Sequence, residues 1–453
     1  MEKVKSTKNR LLFVSALSLI GTFGIHQLAH ASGFGIREGS ADWLGNAFVG
    51  GEAKAYDSGT VYSNPAGMAL LEQSQISSGI SYIGPSAKFN GYNTNVITGQ
   101  RTYGQTGNVV PPGADGAIFG VLVLNPDWRI GASVTVPYGE RVSYPKDWVG
   151  KYQSLVSCVT SVDFSTVVSY KVNNHFSVGG GPVVEYLQAR LTNTLNSGAI
   201  YLHQIQALTG QPPTPANIAT AAAMPDGYDD AHGSDIALGY NLGLLYKIDD
   251  DTRVGLDYHS RIRHNIHGTM SIQSPLPNQT AILNARTSIT TPDSVDIGIY
   301  HQVTPALALL GSLQWTHWAL FNAIYITPRG ATPGTLGARG ATIDANWRNT
   351  WFAGIGANYQ VNDRLMMQTG FAFDESPATN DNRNSRTPDA NHYDLGFGMK
   401  YKILPSTTVD LAYLHVFTPG GTINSTEGLT SGTQVGTYDD SDNSVTAGVS
   451  VIF

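Results

Sequence analysis

The end of the chain, Asn443–Phe453, alternates between apolar and small polar side chains. Val445 and Val449 fall on one face of this segment, and Ser444 and Thr446 fall on the other. A period of two describes a β-strand with one apolar side. A strand that ends on an aromatic residue is typical of bacterial outer-membrane barrels, although the last strand of a soluble sandwich has the same period. We predict that this strand closes a barrel and binds the outer-membrane barrel assembly machinery.

The beginning of the chain has the organisation of a secretory signal. Basic residues precede the apolar run Leu11–Ile25, and Ala29-His30-Ala31 places small residues where a signal peptidase reads them. The apolar run is too short for a membrane-spanning helix, and no stop-transfer pattern follows it. We therefore predict a signal peptide at residues 1–31 and a mature chain that begins at Ser32.

The composition favours a membrane barrel. Charged residues make up 13% of the chain, against ~25% in ordinary soluble domains. Beyond the signal, no run approaches the ~20 apolar residues of a membrane helix. The net charge of −7 argues against nucleic acid as a partner. Cys158 is the one cysteine of the sequence, so neither a disulfide framework nor a thiolate metal cluster is expected, and no cofactor is predicted.

Strand periodicity recurs throughout residues 76–453 and predicts an all-β, transmembrane antiparallel β-barrel of about 14 strands, placed in the outer membrane among its lipids. The predicted strands are 76–89, 114–125, 127–140, 160–172, 174–190, 234–248, 251–273, 284–303, 305–322, 346–361, 363–374, 391–403, 405–418 and 442–453. Short connections with turn residues, such as Asn125-Pro126-Asp127, alternate with long loops. Short periplasmic turns and long extracellular loops are typical of transmembrane barrels.

Two stretches indicate which side chains face lipid. In residues 253–271 the odd positions are polar or glycine, so we expect them to line the lumen along the whole stretch. At ~3.3 Å per residue this stretch reaches ~60 Å, which exceeds the ~25 Å apolar band of such barrels. The barrel is therefore expected to rise well beyond the membrane. In residues 346–361 the same alternation predicts that Trp347 and Trp351 face lipid and that Arg348 faces the lumen.

Residues 32–75 lack strand periodicity. The segment is rich in Gly and Ala and contains Asn64-Pro65-Ala66-Gly67. A barrel of fourteen strands is wide enough for a water-filled pore unless something fills it. We predict that the segment is a hatch inside the lumen, and a flexible periplasmic leader is the alternative.

Several motifs together resemble one family. The run Asp57–Met68, with the sequence DSGTVYSNPAGM, resembles the signature of the FadL family of outer-membrane transporters for long-chain fatty acids and other hydrophobic compounds. Further matching motifs are Pro137-Tyr138-Gly139, Trp148-Val149-Gly150-Lys151-Tyr152, Tyr240-Asn241-Leu242-Gly243, Thr252–Ser260, Trp315-Thr316-His317-Trp318, Asp374-Glu375-Ser376-Pro377 and Arg386-Thr387-Pro388-Asp389. The family usually has Arg where this chain has His259. The resemblance covers essentially the whole mature chain and implies a fourteen-stranded barrel, an N-terminal hatch and sideways passage of the ligand through the wall.

The third predicted strand contains Pro137, which interrupts a well-alternating run. A closed barrel has no edge at which a missing backbone donor is harmless, so this proline predicts a bulge or a break in pairing. Gly139 supplies the freedom for such a kink. A proline at the outer end of the strand is the alternative. The resemblance implies a lateral opening at Pro137, Tyr138 and Gly139, with Asn64, Pro65 and Ala66 of the hatch near it.

The candidate ligand-binding residues follow from the resemblance as well. Arg348 matches a basic residue that meets the ligand head group in the family, and Arg190 lies near a second basic position. Phe34, close to the expected mature terminus, is a candidate latch at the binding site. For each arginine the alternative is a solvated charge on the barrel wall. The loop 191–233 contains apolar, helix-like pieces and is a candidate capture groove.

The sequence contains no zinc-type spacing such as H-E-x-x-H, no nucleophile elbow and no phosphate-binding glycine loop, so no enzymatic activity is predicted. Three functions remain open. The first is uptake of long-chain fatty acids or similar hydrophobic molecules, with lateral release at the third strand. The second is uptake of aromatic hydrocarbons on the same fold. The third is a structural or adhesin barrel whose loops contact other surfaces.

Overall fold

The computed structural model describes residues 33–276, 280–331 and 340–453. The predicted signal peptide, residues 1–31, lies outside the described residues. The described residues form a closed, antiparallel barrel of fourteen strands, which confirms the predicted fold class. Each segment predicted as a strand forms one.

Some strands are continuous and others consist of two segments separated by a break. The strands are β1 (Gln75–Ile83 and Ser86–Thr94), β2 (Arg101–Gln105 and Gly113–Val123), β3 (Trp128–Thr135 and Gly139–Ser143), β4 (Val156–Lys171), β5 (Phe176–Leu195), β6 (Gly227–Lys247), β7 (Thr252–His259 and Ile262–Gln273), β8 (Ala281–Thr291 and Ser294–Thr304), β9 (Leu307–Thr316 and Ala323–Arg329), β10 (Ala341–Asp344 and Thr350–Gln360), β11 (Leu365–Asp374), β12 (His392–Leu404), β13 (Thr407–Phe417 and Gly421–Thr426) and β14 (Thr433–Ile452).

The last strand closes the barrel by pairing with the first. Ile76 lies opposite Val451, and the same part of β14 pairs with β13 on its other side. Ser444 and Thr446 are buried inside, whereas Val445 and Val449 are exposed on the outer wall. The alternation predicted for this segment is therefore confirmed. The strand is longer than predicted, because residues 433–441, expected in a loop, continue the ladder with β1 and β13.

The connections alternate between a short-turn end and a long-loop end. At the short-turn end, Asn125 Oδ1 accepts the backbone N–H groups of Asp127 and Trp128, and Asn362 Oδ1 accepts those of the two residues at equivalent positions in its turn. At the long-loop end, the connection after β5 contains the helices α4 (Ser197–Thr209) and α5 (Pro215–Ala222). A short 3₁₀ helix, Trp318–Leu320, interrupts β9.

The lumen-facing parity predicted for residues 253–271 is correct only for the first half. Asp257 is buried inside, but after the break at Ser260 and Arg261 the even positions turn inward. Ile266 and Met270 are consequently buried, and the odd positions of that segment face outward. Arg253 lies opposite Lys247 of β6, whereas His267 lies opposite Ser234, so the break adds one residue to β7 relative to β6 and shifts the side-chain phase of everything beyond it.

The N-terminal segment, residues 33–74, carries α1 (Ala41–Leu44), α2 (Gly51–Lys54), α3 (Thr60–Ser63) and a 3₁₀ helix, Pro65–Leu70. Hydrogen bonds join it to inward-facing groups on strands around the barrel. These bonds are Glu38 O with Ser81 Oγ, Ser58 Oγ with Phe119 O, Tyr62 O with Asn241 Nδ2, and Asn46 Nδ2 with Asn358 Oδ1. Buried charges add to them, since Lys400 of β12 lies 3.0 Å from both Asp42 and Asp57.

In the part of the chain that the structure describes, no helix has the length and apolarity required to cross a membrane.

Candidate functional site

The break in β3 lies at Pro137, as predicted from the sequence. On the short-turn side of the break, β3 pairs with Ile118–Val123 of β2. On the long-loop side, Gly139–Ser143 pair with β4, but the pairing between β3 and β2 does not extend to them. Proline contributes no backbone donor, so the ladder cannot continue through this point.

Residues 34–36 of the N-terminal segment occupy this break. Gly35 forms an antiparallel bridge with Tyr138. The Ile36 N–H donates to Pro137 O over 2.8 Å, and the Gly139 N–H donates to Phe34 O over 2.8 Å. The backbone groups that the break would leave unsatisfied are thus paired with the N-terminal segment, as burial requires.

Glycine at position 139 makes room for the Ile36 side chain at this close approach. A Cβ atom on Gly139 would lie 2.4 Å from Cδ1 of Ile36, well inside van der Waals contact. A side chain here would therefore force the end of the Ile36 side chain out of its present position against β3. The prediction that Pro137, Tyr138 and Gly139 form a lateral opening concerns function and stays a prediction, but all three contact the N-terminal segment.

Phe34 lies at the centre of an aromatic cluster. Its ring is fully buried, and its centroid lies 4.8 Å from that of Trp318, 5.3 Å from Phe321 and 5.6 Å from both Tyr138 and Trp347. The cluster continues into aliphatic side chains of β5–β9 toward the long-loop end. These include Leu187, Ile266, Ile289, Ile324 and Ile326. The interior above the break is therefore apolar on the side of β5–β9.

Gly33, next to Phe34, is held by Asp389 and Ser376, which belong to two of the motifs that resemble the family. Its N–H donates to Oδ2 of Asp389 over 3.0 Å, and Ser376 Oγ donates to the same oxygen over 2.8 Å. Asp389 and Ser376 both lie in the loop between β11 and β12. Burial raises the pKa of Asp389 to about 7. This carboxyl group therefore exchanges its proton near neutral pH while it holds the start of the N-terminal segment.

A cavity of about 160 Å³ lies next to the break and below Phe34. Aromatic and acidic side chains form much of its wall, together with Arg37 and His259. The aromatic residues are Trp43, Phe48, Tyr62, Tyr138, Tyr240, Trp318 and Phe352, and the acidic residues are Glu52, Asp163, Glu185, Asp257 and Asp296.

Arg37 is a partly buried interior cation that the sequence reasoning missed. Its guanidinium lies 3.0 Å from Asp374 and donates to Gln314 over 2.6 Å. It also lies over the ring of Phe352, 4.7 Å from the centroid. The available sequence signal was an arginine in the low-charge N-terminal segment, three residues after Phe34.

The structure places Arg348 and Arg190 away from this cavity. Arg348 has a 43% exposed side chain, lies 3.9 Å from Glu375 and donates to Ser376 O. Trp347, expected to face lipid, is instead buried in the aromatic cluster, so the predicted parity of these two residues is wrong. Arg190 is 52% exposed and forms a two-pronged hydrogen bond with Asp230. A ligand-binding role for either arginine stays a prediction.

Asn64, Pro65 and Ala66 do not lie beside the break, contrary to what the resemblance implies. Asn64 Nδ2 donates to Leu244 O of β6, and Ala66 O accepts from Ser177 Oγ of β5. These contacts are near the short-turn end, many residues along the strands from the level of Pro137. The N-terminal residues 34–36 take the place beside the break that was expected for them.

Among residues 33–276, 280–331 and 340–453, no group of three or more His, Cys, Asp or Glu side chains is arranged to hold a metal ion.

Comparison with known proteins agrees with this geometry. Two similar chains are outer membrane protein NMB0088 of Neisseria meningitidis serogroup B, 31% identical over 88% of each chain, and a long-chain fatty acid transport protein of Escherichia coli O6:H1, 26% identical over 92% of this chain and 94% of that one.

Solved structures share the fold. A Pseudomonas aeruginosa FadL homologue superposes with a TM-score of 0.82 at 21% identity, covering 93% of this chain and 100% of that one. The Ralstonia pickettii toluene transporter TbuX superposes with a TM-score of 0.65 at 18% identity, covering 94% and 99%. The family model described as outer membrane protein transport protein (OMPP1/FadL/TodX) matches residues 23–452. The chain therefore belongs to the OMPP1/FadL/TodX family of outer-membrane transport proteins.

Proposed function

We propose that this protein takes up hydrophobic molecules and releases them sideways through the break in β3. A ligand enters the apolar interior between β5 and β9 from the long-loop end, which faces the outside of the cell. It passes the Phe34 cluster and leaves through the wall at Pro137. An apolar interior that ends at a break in the wall supports this route, whereas a structural or adhesin barrel would need neither.

The observation that carries the proposal is the pairing of residues 34–36 with the broken strand. Two backbone hydrogen bonds, which together form the bridge between Gly35 and Tyr138, close the gap. Each such bond contributes only ~0.5–1.5 kcal/mol net, so ligand binding around Phe34 has enough energy to separate them. Displacement of Phe34 by a ligand would then pull Gly35 and Ile36 away from Pro137 and open the wall.

The rest of residues 32–75 acts in this proposal as a hatch that stays in place. Lys54 lies 3.0 Å from Asp42 and donates to Asn46 Oδ1, and Lys400 of β12 bridges Asp42 and Asp57. Breaking one partner of a buried ion pair costs about 3–5 kcal/mol. Movement is therefore confined to the start of the segment, and water and solutes stay excluded from the remaining pore.

The capture step is assigned to α4 and α5 at the long-loop end. Leu208 is highly exposed and Ile218 is partly exposed on these helices. Exposed apolar patches of this kind mark binding sites. Long-chain fatty acids and toluene are the compounds named for the relatives, and both classes contain the apolar body that the interior accommodates.

A reversible cross-link tests the lateral route. Gly35 and Tyr138 form a non-hydrogen-bonded antiparallel pair, in which Cα atoms lie ~4.5 Å apart, within the ~4.4–6.8 Å range of disulfides. Gly35→Cys combined with Tyr138→Cys, in a Cys158→Ser background, should form a disulfide that locks the break. Cells that lack their own transporter should then take up labelled oleate and toluene only after reduction.

Two controls make the result specific. Ser77→Cys with Ser450→Cys joins β1 and β14, which pair at these positions away from the break, and its oxidation should leave uptake unchanged. The single variants Gly35→Cys and Tyr138→Cys should not respond to reductant. Equal uptake by the oxidised and reduced double variant would exclude the lateral route and leave passage along the barrel axis.

A further inference from the structure

We propose that the cavity below Phe34 selects hydrophobic molecules that carry a positive charge, such as alkylammonium ions, over carboxylates. This inference rests on the proposed uptake function and specifies the ligand of the same interior route. Carboxylates and aromatic faces line the cavity, and the positive side chains at its wall are already bound to other groups.

The strongest element is the pair Asp163 and Glu185. These residues lie opposite each other on β4 and β5, line the cavity and are 6% and 0% exposed. Glu185 Oε1 lies 2.7 Å from His264 Nε2 and accepts from Thr291 Oγ1 over 3.1 Å. Glu185 Oε2 and Asp163 Oδ1 accept no hydrogen bond from another described residue, and the two carboxyl groups are close enough to share a proton with each other.

Two adjacent buried carboxyl groups repel each other when both are ionised, and they settle either by sharing a proton or by binding a cation. An ammonium group presents three N–H donors, which suits the two unpartnered oxygens. A bound alkylammonium ion would replace the shared proton and leave its apolar tail against the rings above. A carboxylate ligand would instead add a third negative group to the pair.

The basic side chains at the cavity wall do not offset this charge for a ligand, because acids other than Asp163 and Glu185 already pair with them. Arg37 lies 3.0 Å from Asp374, and His259 Nε2 lies 2.8 Å from Asp257. Asp296 adds a further carboxylate, which accepts hydrogen bonds from Ser294 and Gln314. Arginines free to meet a ligand carboxylate would have to come from the outer surface, where Arg348 and Arg190 pair with acidic neighbours.

Aromatic faces complete the recognition of an organic cation. Trp43, Tyr62, Tyr138 and Trp318 line the same cavity as Asp163 and Glu185. The negative face of an aromatic ring attracts ammonium groups, and rings combined with carboxylates are the usual environment of bound alkylammonium ligands. Trp318 also contacts Phe34, so the site is continuous with the apolar route.

Binding of three matched eight-carbon ligands tests the proposal. Octylammonium, octanoate and octanol are titrated at pH 7 against the purified protein in nonionic detergent, with tryptophan fluorescence as the readout. At this pH the amine is protonated and the carboxyl is ionised, since such groups titrate near ~10 and ~4. We expect octylammonium to bind roughly tenfold more tightly than octanoate, the order of one charge-assisted hydrogen bond.

Variants separate charge from packing. Asp163→Asn with Glu185→Gln should abolish the preference and leave octanol binding unchanged, whereas Glu185→Asp should keep it. Asp250→Asn, in an exposed turn, is the control that should behave as the wild type. The double variant should also stay folded, because the amide oxygen introduced at position 185 can still accept hydrogen bonds from His264 Nε2 and Thr291 Oγ1.

Octanoate binding as tight as octylammonium in the wild type, or a preference that survives in the double variant, would overturn the proposal. The two proposals fail separately. Protein-dependent uptake of oleate or toluene without a charge preference would reject only the selectivity. A preference for octylammonium in a protein that supports no uptake would reject only the transport.

Discussion

The lower and upper parts of the barrel wall are built with opposite polarity. Near the short-turn end, Ile297 and Ile299 of β8 are exposed on the outer wall, and Asp296 is buried inside. Toward the long-loop end of the same strand, Ile289 is buried inside. The lower wall is therefore apolar outside and polar inside, as lipid on one face requires. The upper wall is apolar inside, as in a water-soluble barrel.

The change occurs at one level in neighbouring strands. His259, Ser294, Thr316 and Thr350 lie opposite one another across β7–β10, and each of these strands is broken just above them. In β7 the break shifts the phase of the side chains by one position. In this strand the interruption of the ladder turns the apolar face from lipid to the lumen, whereas in β9 the even positions face inward on both sides of the break.

Strands β5 and β6 make the same change without a break. Tyr186 and Ile236 lie on the outer wall. Further toward the long-loop end, Arg190 and His232 also lie on the outer wall, so the parity of these strands does not change. Here the residue type on the outer face changes from apolar to polar, while Leu187 inside is apolar. The comparison teaches that the solvent on each side of the wall, rather than strand alternation alone, decides which side chains are tolerated.

The largest expected effect comes from the upper interior. Ile266→Ala should lower the free energy of unfolding by about 2–5 kcal/mol, because a buried branched side chain leaves a cavity in the apolar cluster. Ile282→Ala, on the exposed outer face of the upper wall, should stay within ~0.5 kcal/mol. Urea unfolding of the barrel in lipid vesicles measures both. Similar values for the two variants would show that the upper interior is not a packed core.

A charge on the outer wall should separate the two regions next. Ile297→Arg places a cation in the lipid-facing band and should cost about 2–4 kcal/mol if it lies near the membrane midplane. Ile282→Arg should cost close to nothing, because this position faces water. The same unfolding experiment gives the difference, and an equal cost at both positions would mean that lipid covers the upper wall as well.

The smallest effects are expected at the two exposed arginines. Arg348→Ala and Arg190→Ala each remove a solvent-exposed ion pair, which contributes ~0–1 kcal/mol. Binding of oleate to the purified variants should change by less than roughly threefold, since neither side chain lines the cavity. A loss of tenfold or more with Arg348→Ala, without loss of stability, would restore the role that the resemblance implies for this residue.

Pattern reasoning found the strands, the turns and the break at Pro137, because each depends on local chemistry. It missed Arg37 and the pair Asp163 and Glu185 as site residues, although alternation marks both acids as inward-facing. Their significance depends on the cavity that β4, β5 and the N-terminal segment enclose together. No spacing along the chain reveals that these groups are neighbours of Trp318.

The sequence by itself determined that this chain forms a closed barrel of alternating strands with short turns at one end, because period-two patterning and turn residues act over a few residues. Only the tertiary structure decided which face each upper segment presents. The break in β7 changes which positions face inward, and the pairing with neighbouring strands sets the size of that shift. Trp347 rather than Arg348 faces the interior because Trp347 packs against Phe34. The closure of the β3 break by residues 34–36 is also a tertiary result, since it pairs backbone groups about a hundred residues apart that carry no side-chain signal for each other.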